Sequence, residues 1–130
     1  MFTTEIDTAR KLAIHRVDRG KLQLVEVFVA ANDLFHDPRF EPDFNVIWDL
    51  RHCEVGITLQ EIMDLHPTIV AASNAARATG KTAWVTDSAF GEAVIKLLFA
   101  HHEWSTEWRT FPTLDRAINW CTWQIIANRD

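Results

Sequence analysis

The sequence predicts an α/β domain: a mixed, mostly parallel five-stranded sheet with about four helices. Three observations predict it. Short β-rich runs alternate with stretches of helical period, the pattern of βαβ units and hence of a largely parallel sheet. Near the amino terminus two runs, residues 2–7 and 11–17, are separated only by Thr8-Ala9-Arg10, which reads as an antiparallel pair. The 130 residues fit one domain, and 48% apolar content is enough to bury a substantial core.

The elements follow in order. Asp18-Arg19-Gly20 is turn chemistry, with Gly20 suited to a left-handed position. Residues 22–35 carry two periods at once: Val25, Val27 and Val29 alternate, while Leu24, Phe28, Ala31 and Phe35 recur at helical spacing. Fourteen residues is long for a strand, so the segment reads as a helix. Pro38 and Pro42 punctuate a loop. Residues 44–50 form a strand with Phe44, Val46, Trp48 and Leu50 on one face, and Ile47 on the other marks it as interior. Thr58-Leu59-Gln60-Glu61 is a capping box. It opens a helix with Leu59, Ile62, Met63 and Leu65 facing inward, kinked or restarted at Pro67 and ended by Gly80. Residues 82–86 form a short strand. Ser88 caps a helix with Phe90, Ala93, Val94, Leu97 and Leu98 inside. Residues 104–111 are the last strand, and Thr113 caps a final helix that runs to about Ala127.

Charge and cysteine content narrow the function classes. A net charge of −5 with 13 scattered basic residues argues against nucleic acid and against anionic membranes. No apolar run approaches the ~20 residues of a membrane helix, and the acidic start at Glu5 lacks the order of a signal peptide. Cys53 and Cys121 form no Cys-x-x-Cys motif. They read as free, buried thiols of a cytoplasmic protein.

Several segments resemble one family when taken in order. They are Gly20-Lys21-Leu22 with Val25-Glu26, and Asp37-Pro38-Arg39-Phe40-Glu41-Pro42-Asp43-Phe44 followed by Trp48-Asp49-Leu50-Arg51. Phe90-Gly91 opens a helix, and Trp108-Arg109-Thr110-Phe111 precedes Leu114-Asp115-Arg116-Ala117-Ile118-Asn119-Trp120. Together they cover most of the chain after Arg10 and resemble the small bacterial SpoIIAA-like group, related in fold to STAS domains and to CRAL-TRIO lipid-binding domains. The resemblance implies a (βα)n superhelix and supports the helical reading of residues 22–35. It implies little about activity. In STAS switches an Asp-Ser-Ser-Gly motif carries the phosphorylated serine. Counted on from Asp49, that motif falls on Ile57-Thr58-Leu59-Gln60, where only the hydroxyl of Thr58 remains, which argues against the same switch.

Other constellations reduce to structure. Gly80-Lys81-Thr82 lacks the earlier glycine of a P-loop, since that position is Ala75, and a helix precedes it where a strand should. His52-Cys53-Glu54 and His101-His102-Glu103 lack metal-ligand spacing. Ser88 lacks the Gly-x-Ser-x-Gly of a nucleophile elbow and reads as an N-cap. No pattern points to a cofactor.

One location remains. In open α/β sheets ligands bind beyond the carboxyl ends of the parallel strands. That rim should gather Asp49, Arg51 and His52, then Thr86, Asp87 and Ser88, with Thr110 from the last strand and Thr58 at a helix start. The expected protein is a non-enzymatic regulatory or ligand-binding module. Its partner is another protein or a small apolar or anionic ligand, best fitted by an apolar molecule bearing one acidic or hydroxyl group. The alternative is a small enzyme using Asp49, Asp87 and Ser88. Trp120 and Trp123 exceed what the buried stripe of the last helix needs, so they mark an expected homodimer surface.

Overall fold

Strands β1 (Phe2–Asp7) and β2 (Leu12–Val17) form the expected antiparallel pair, with Phe2 opposite Val17 and Asp7 opposite Leu12. The computed structural model in which they are seen describes residues 2–18, 20–100 and 107–127. The turn places Lys11 at φ 51°, a left-handed position, and Gly20 at φ 89° turns the chain again after β2. From there β3 (Lys21–Leu22) leads into α1 (Leu24–Phe35), so the helical period of the ambiguous segment prevails over its valine alternation. The alternation had its own cause, because Val25 and Val29 are exposed and Val27 is buried.

The remaining strands are β4 (Asn45–Asp49), β5 (Glu54–Val55), β6 (Thr82–Val85) and β7 (Trp108–Phe111). The five-stranded sheet runs β1-β2-β4-β6-β7, and every pair after the first is parallel. Ile47 is fully buried at the centre of β4, as an interior strand requires. The two-residue ladder of β3 and β5 forms a second, parallel sheet that no sequence period announces. The expected last strand starts at Trp104, but residues 101–106 lie outside the described residues. The described strand begins at Trp108.

The sheet is covered on both faces. Against one face lie α1, α2 (Leu59–Ala75) and α3 (Ala89–Ala100). Neighbours in register build an aromatic row across it: His15 stacks on Trp48 at 4.1 Å, and Trp48 on Trp84 at 5.1 Å. Phe99 of α3 then meets Trp84 edge-on and stacks on Trp108 at 4.6 Å. The other face packs Leu12, Ile14, Ile47, Ala83 and Val85 against α4 (Leu114–Ala127) through Ala117 and Cys121.

Three expectations are corrected. In α3, Phe90, Ala93 and Leu97 are exposed, and the inward stripe is Gly91, Val94, Ile95, Leu98 and Phe99, one residue further round the helix. Gly91 sets this rotation: a Cβ there would lie 2.8 Å from Thr86 Oγ1 and 3.3 Å from Val55, so the helix approaches the sheet on its glycine. In α2, Leu59 and Met63 are exposed, and among the described residues Ile62 and His66 are the buried ones. The polar His66 inside tilts the apolar pattern toward the wrong flank. Gly80 does not end α2. The helix runs through Pro67 to Ala75, with Ala76 as C-cap and Arg77 at φ 55°. Gly80 serves instead for contact, since a Cβ there would fall 2.0 Å from the Phe44 carbonyl oxygen.

Candidate functional site

The carboxyl edge of the sheet is organised by one buried ion pair. Asp49 ends β4 at 2% exposure, and the chain turns so that Arg51 reaches back over it. Arg51 Nε donates to Asp49 Oδ1 and Nη2 donates to Oδ2, both at 2.9 Å, in a bidentate fork. Burial pushes the Asp49 carboxyl up, but the charged bonds from Arg51 outweigh it and leave the carboxyl below its ordinary range. The same bond to Asp49 raises Arg51, and the negative fields of Asp87 and Asp115 add to it. Asp49 and Arg51 therefore satisfy each other, with Asp87 and Asp115 nearby in charge.

The next three expected residues form a second unit. Thr86 is 7% exposed, and its hydroxyl oxygen accepts from Ser88 N at 3.3 Å. Ser88 Oγ accepts from Gly91 N at 3.2 Å, which makes Ser88 the N-cap of α3. Asp87 stands exposed between them. Thr58 is likewise committed: its hydroxyl accepts from Glu61 N at 3.2 Å, and Glu61 Oε1 accepts from Thr58 N at 3.1 Å. The other oxygen of Glu61 accepts from Leu24 N at 3.0 Å and ties the start of α1 to that of α2. A phosphate on Thr58 would sit against this carboxylate, so the capping box opposes the modification. His52 is exposed, and Thr110 Oγ1 lies 3.5 Å from Glu92 Oε1. Thr113 caps α4 through Arg116 N at 3.4 Å. Among the described residues no group of three or more His, Cys, Asp or Glu is placed to hold a metal; His101-His102-Glu103 lies outside them. Among the described residues no helix is long and apolar enough to cross a membrane.

Apolar side chains supply what the polar residues of this edge lack. Leu59, Met63 and Phe90 stand 59%, 66% and 65% exposed on the first turns of α2 and α3, beside Thr58 and Ser88. These were missed because helical period alone assigned them inward. The signal against it was Gly91, whose missing side chain marks the helix face that meets the sheet.

On the last helix Trp120 is half-buried against Phe111, with the Lys81 ammonium 5.0 Å and the Arg109 guanidinium 5.4 Å from its ring. Trp123 alone of the pair is exposed, at 61%.

A cavity of about 60 Å³ lies at the opposite, amino edge, between α1, α2, α3 and the starts of β4 and β6. Phe35, Phe40, Phe44, Trp48, Trp84 and Phe99 line it together with the buried His66. None of the eight rim residues borders it. The loops that border it are bonded to each other, Thr79 N donating to the Pro42 carbonyl at 2.8 Å.

Comparison with known proteins gives a likeness of shape. No protein-family profile matches the chain, and no curated protein matches its sequence. One solved structure is an uncharacterised DUF3478-family protein from Shewanella loihica PV-4 with a SpoIIAA-like fold. It is 12% identical over 93% of this chain and 92% of its own, with a TM-score of 0.58. Another is the anti-sigma factor antagonist SpoIIAA in its unphosphorylated form, 11% identical over 99% and 98%, with a TM-score of 0.50. The likeness runs along nearly the whole chain, and with a mostly parallel five-stranded sheet and four helices this protein has the SpoIIAA-like fold.

Proposed function

We propose that the protein is a non-enzymatic regulatory module that docks a partner protein over the carboxyl edge of its sheet. The observation that carries this reading is the exposure of Leu59, Met63 and Phe90 around the polar groups Thr58, Asp87 and Ser88. Large apolar side chains ringed by polar ones are the makeup of an interface centre. Two of the three expected polar actors are engaged in holding the fold, which supports binding over catalysis: Asp49 by Arg51, and the Ser88 hydroxyl by Gly91 N. A fold neighbour known as an anti-sigma factor antagonist supports a regulatory role for such a scaffold. The partner should present an apolar patch with basic groups at its border, to meet Asp87 and the net charge of −5.

A photo-crosslinking residue placed at Met63 or at Phe90 should capture the same protein in the native host, and one placed at Thr3 on β1 should not. Calorimetry with the captured protein should then show at least tenfold weaker binding for Phe90→Ser. Capture from Thr3 equal to that from Met63 and Phe90, or unchanged affinity for Phe90→Ser, would overturn the proposal.

Self-association through α4 rests on Trp123, whose exposure favours it. If α4 forms the contact, wild type sediments as a dimer at high micromolar concentration and Trp123→Ser as a monomer.

A further inference from the structure

The cavity at the amino edge lies apart from the proposed docking edge. Two independent features of it point the same way. The first is shape and lining: the chamber is walled by aromatic rings and by Ala31 and Leu98, and it has about 60 Å³. About 10–15 Å³ of such space admits one water-sized group, so the chamber admits roughly four to six, the size of a short ketone. The second is an unpartnered donor. Trp84 is 3% exposed and lines the chamber, and its indole N–H finds no acceptor among the described residues. A buried donor without an acceptor is uncommon enough in native structures to need a cause.

The rest of the lining decides the charge of what fits. Lys81 borders the cavity, but its ammonium donates to the Trp120 carbonyl at 3.2 Å and sits over the Trp120 ring. That commits it to α4, on the opposite face of the sheet. His66 is not free either. A carboxylate would enter without a cation to receive it, at the full cost of losing its water. A neutral oxygen needs only the indole N–H.

We infer that the chamber binds a small, neutral carbonyl compound with a short aliphatic body, its oxygen accepting from Trp84 Nε1–H and its terminal carbons among Phe35, Phe99 and Leu98. Entry runs between the residue 36–44 and 76–81 loops, by release of the Thr79–Pro42 hydrogen bond. This site is separate from the proposed docking edge, and its failure leaves that proposal standing.

The test is a titration followed by nitrogen–proton correlation of the six tryptophan indoles. The Trp84 signal is the one that disappears in Trp84→Phe. The probes are 2-pentanone and pentanoate, equal in chain length and different in charge. With 2-pentanone the Trp84 N–H should shift and saturate in the millimolar range, and pentanoate should bind at least tenfold more weakly. Ala31→Leu fills the chamber and should abolish the shift. Ala78→Leu fills the same space from the loop and replaces it if the helix variant does not fold. A Trp84 signal unmoved at tens of millimolar ketone overturns the inference. So does an equal drift of all indole signals, a stronger response to pentanoate, or a long-lived water on the Trp84 N–H that ketone does not displace.

Discussion

At the carboxyl edge, short polar side chains are bonded to near neighbours in sequence, and the apolar ones beside them face outward. At the amino edge, loops distant in sequence are pinned together over a buried aromatic chamber. The same parallel strands supply both edges. What differs is who satisfies the chain ends. Helix starts at the carboxyl edge are satisfied locally by Thr58, Ser88 and Thr113, so their outer surfaces are released for contact. Strand starts at the amino edge are satisfied across the fold, Lys81 N donating to Asn45 Oδ1 at 2.7 Å and Val46 N to the Lys81 carbonyl at 2.8 Å. One edge is therefore structurally tolerant and the other is not, and substitutions should separate them.

The largest effect is expected at the amino edge. Gly80→Ala sets a Cβ 2.0 Å from a backbone oxygen that cannot rotate away, and should cost about 3 kcal/mol, the upper end of overpacking penalties. Gly91→Ala at the carboxyl edge meets a side-chain hydroxyl at 2.8 Å, and alanine recovers up to ~1 kcal/mol of helix propensity, so its net cost should stay near 1 kcal/mol. Urea unfolding of both variants checks the contrast, and equal midpoints would break it.

A comparable effect should appear with pH and lies between the edges. His15 is fully buried, bonded through Nδ1 to Thr4 Oγ1 at 2.9 Å, and burial pulls its pKa down to about 4. An unfolded histidine titrates near 6.5, so between those values the unfolded chain holds a proton that the folded chain does not. Stability is complete above about pH 6.5 and falls as the pH drops toward 4, by about 3 kcal/mol in all. His15→Phe keeps the stack on Trp48 and should flatten that slope.

Asp49→Asn should cost about 2 kcal/mol, because Arg51 loses its charged partner but is exposed enough to be partly rescued by water. The folded Asp49 carboxyl is depressed, so its contribution is present at neutral pH and fades only as the pH falls below the ordinary aspartate range, beneath the histidine transition. Two separate acid phases in wild type, the upper removed by His15→Phe and the lower, to which Asp37 and Asp7 also contribute, only reduced by Asp49→Asn, would confirm that the groups act independently.

Much of this architecture could be read in advance because backbone chemistry is local. The Thr58-x-x-Glu61 box, the Ser88 and Thr113 caps, the left-handed Gly20 and the interior character of Ile47 are each decided within a few residues. The helix rotations could not be read. The inward face of α3 depends on how closely Gly91 meets Thr86 and Val55, and that of α2 on a buried histidine that scores as polar. The cavity was invisible for the same reason. Phe40 reads as a loop residue, Phe44 as the start of a strand and Ala78 as part of a helix, and no local pattern says that Thr79 and Pro42 bring the three together. At the rim, the expected residues do converge in the pair of Asp49 with Arg51 and in the chain from Thr86 through Ser88 to Gly91. Their chemistry turns inward, to the fold.

The smallest expected effect is the one that tests the contrast most directly. Met63 and Phe90 carry the apolar surface of the carboxyl edge and are 66% and 65% exposed. Little apolar area is therefore returned to water when they are changed to serine, and Met63→Ser and Phe90→Ser should each alter stability by no more than about 0.5 kcal/mol. Phe44 at the amino edge is 3% exposed and packs on Phe40 at 5.7 Å. Phe44→Ser loses its buried area, leaves a gap beside the existing cavity and brings a hydroxyl into an apolar wall, for about 3 kcal/mol or more. Phe90→Ser and Phe44→Ser are the same exchange, so their unfolding midpoints compare the edges without correction for chemistry. A destabilised Met63→Ser or Phe90→Ser would mean that those side chains are held by the fold and are not free to meet a partner, and the docking surface would have to be sought elsewhere.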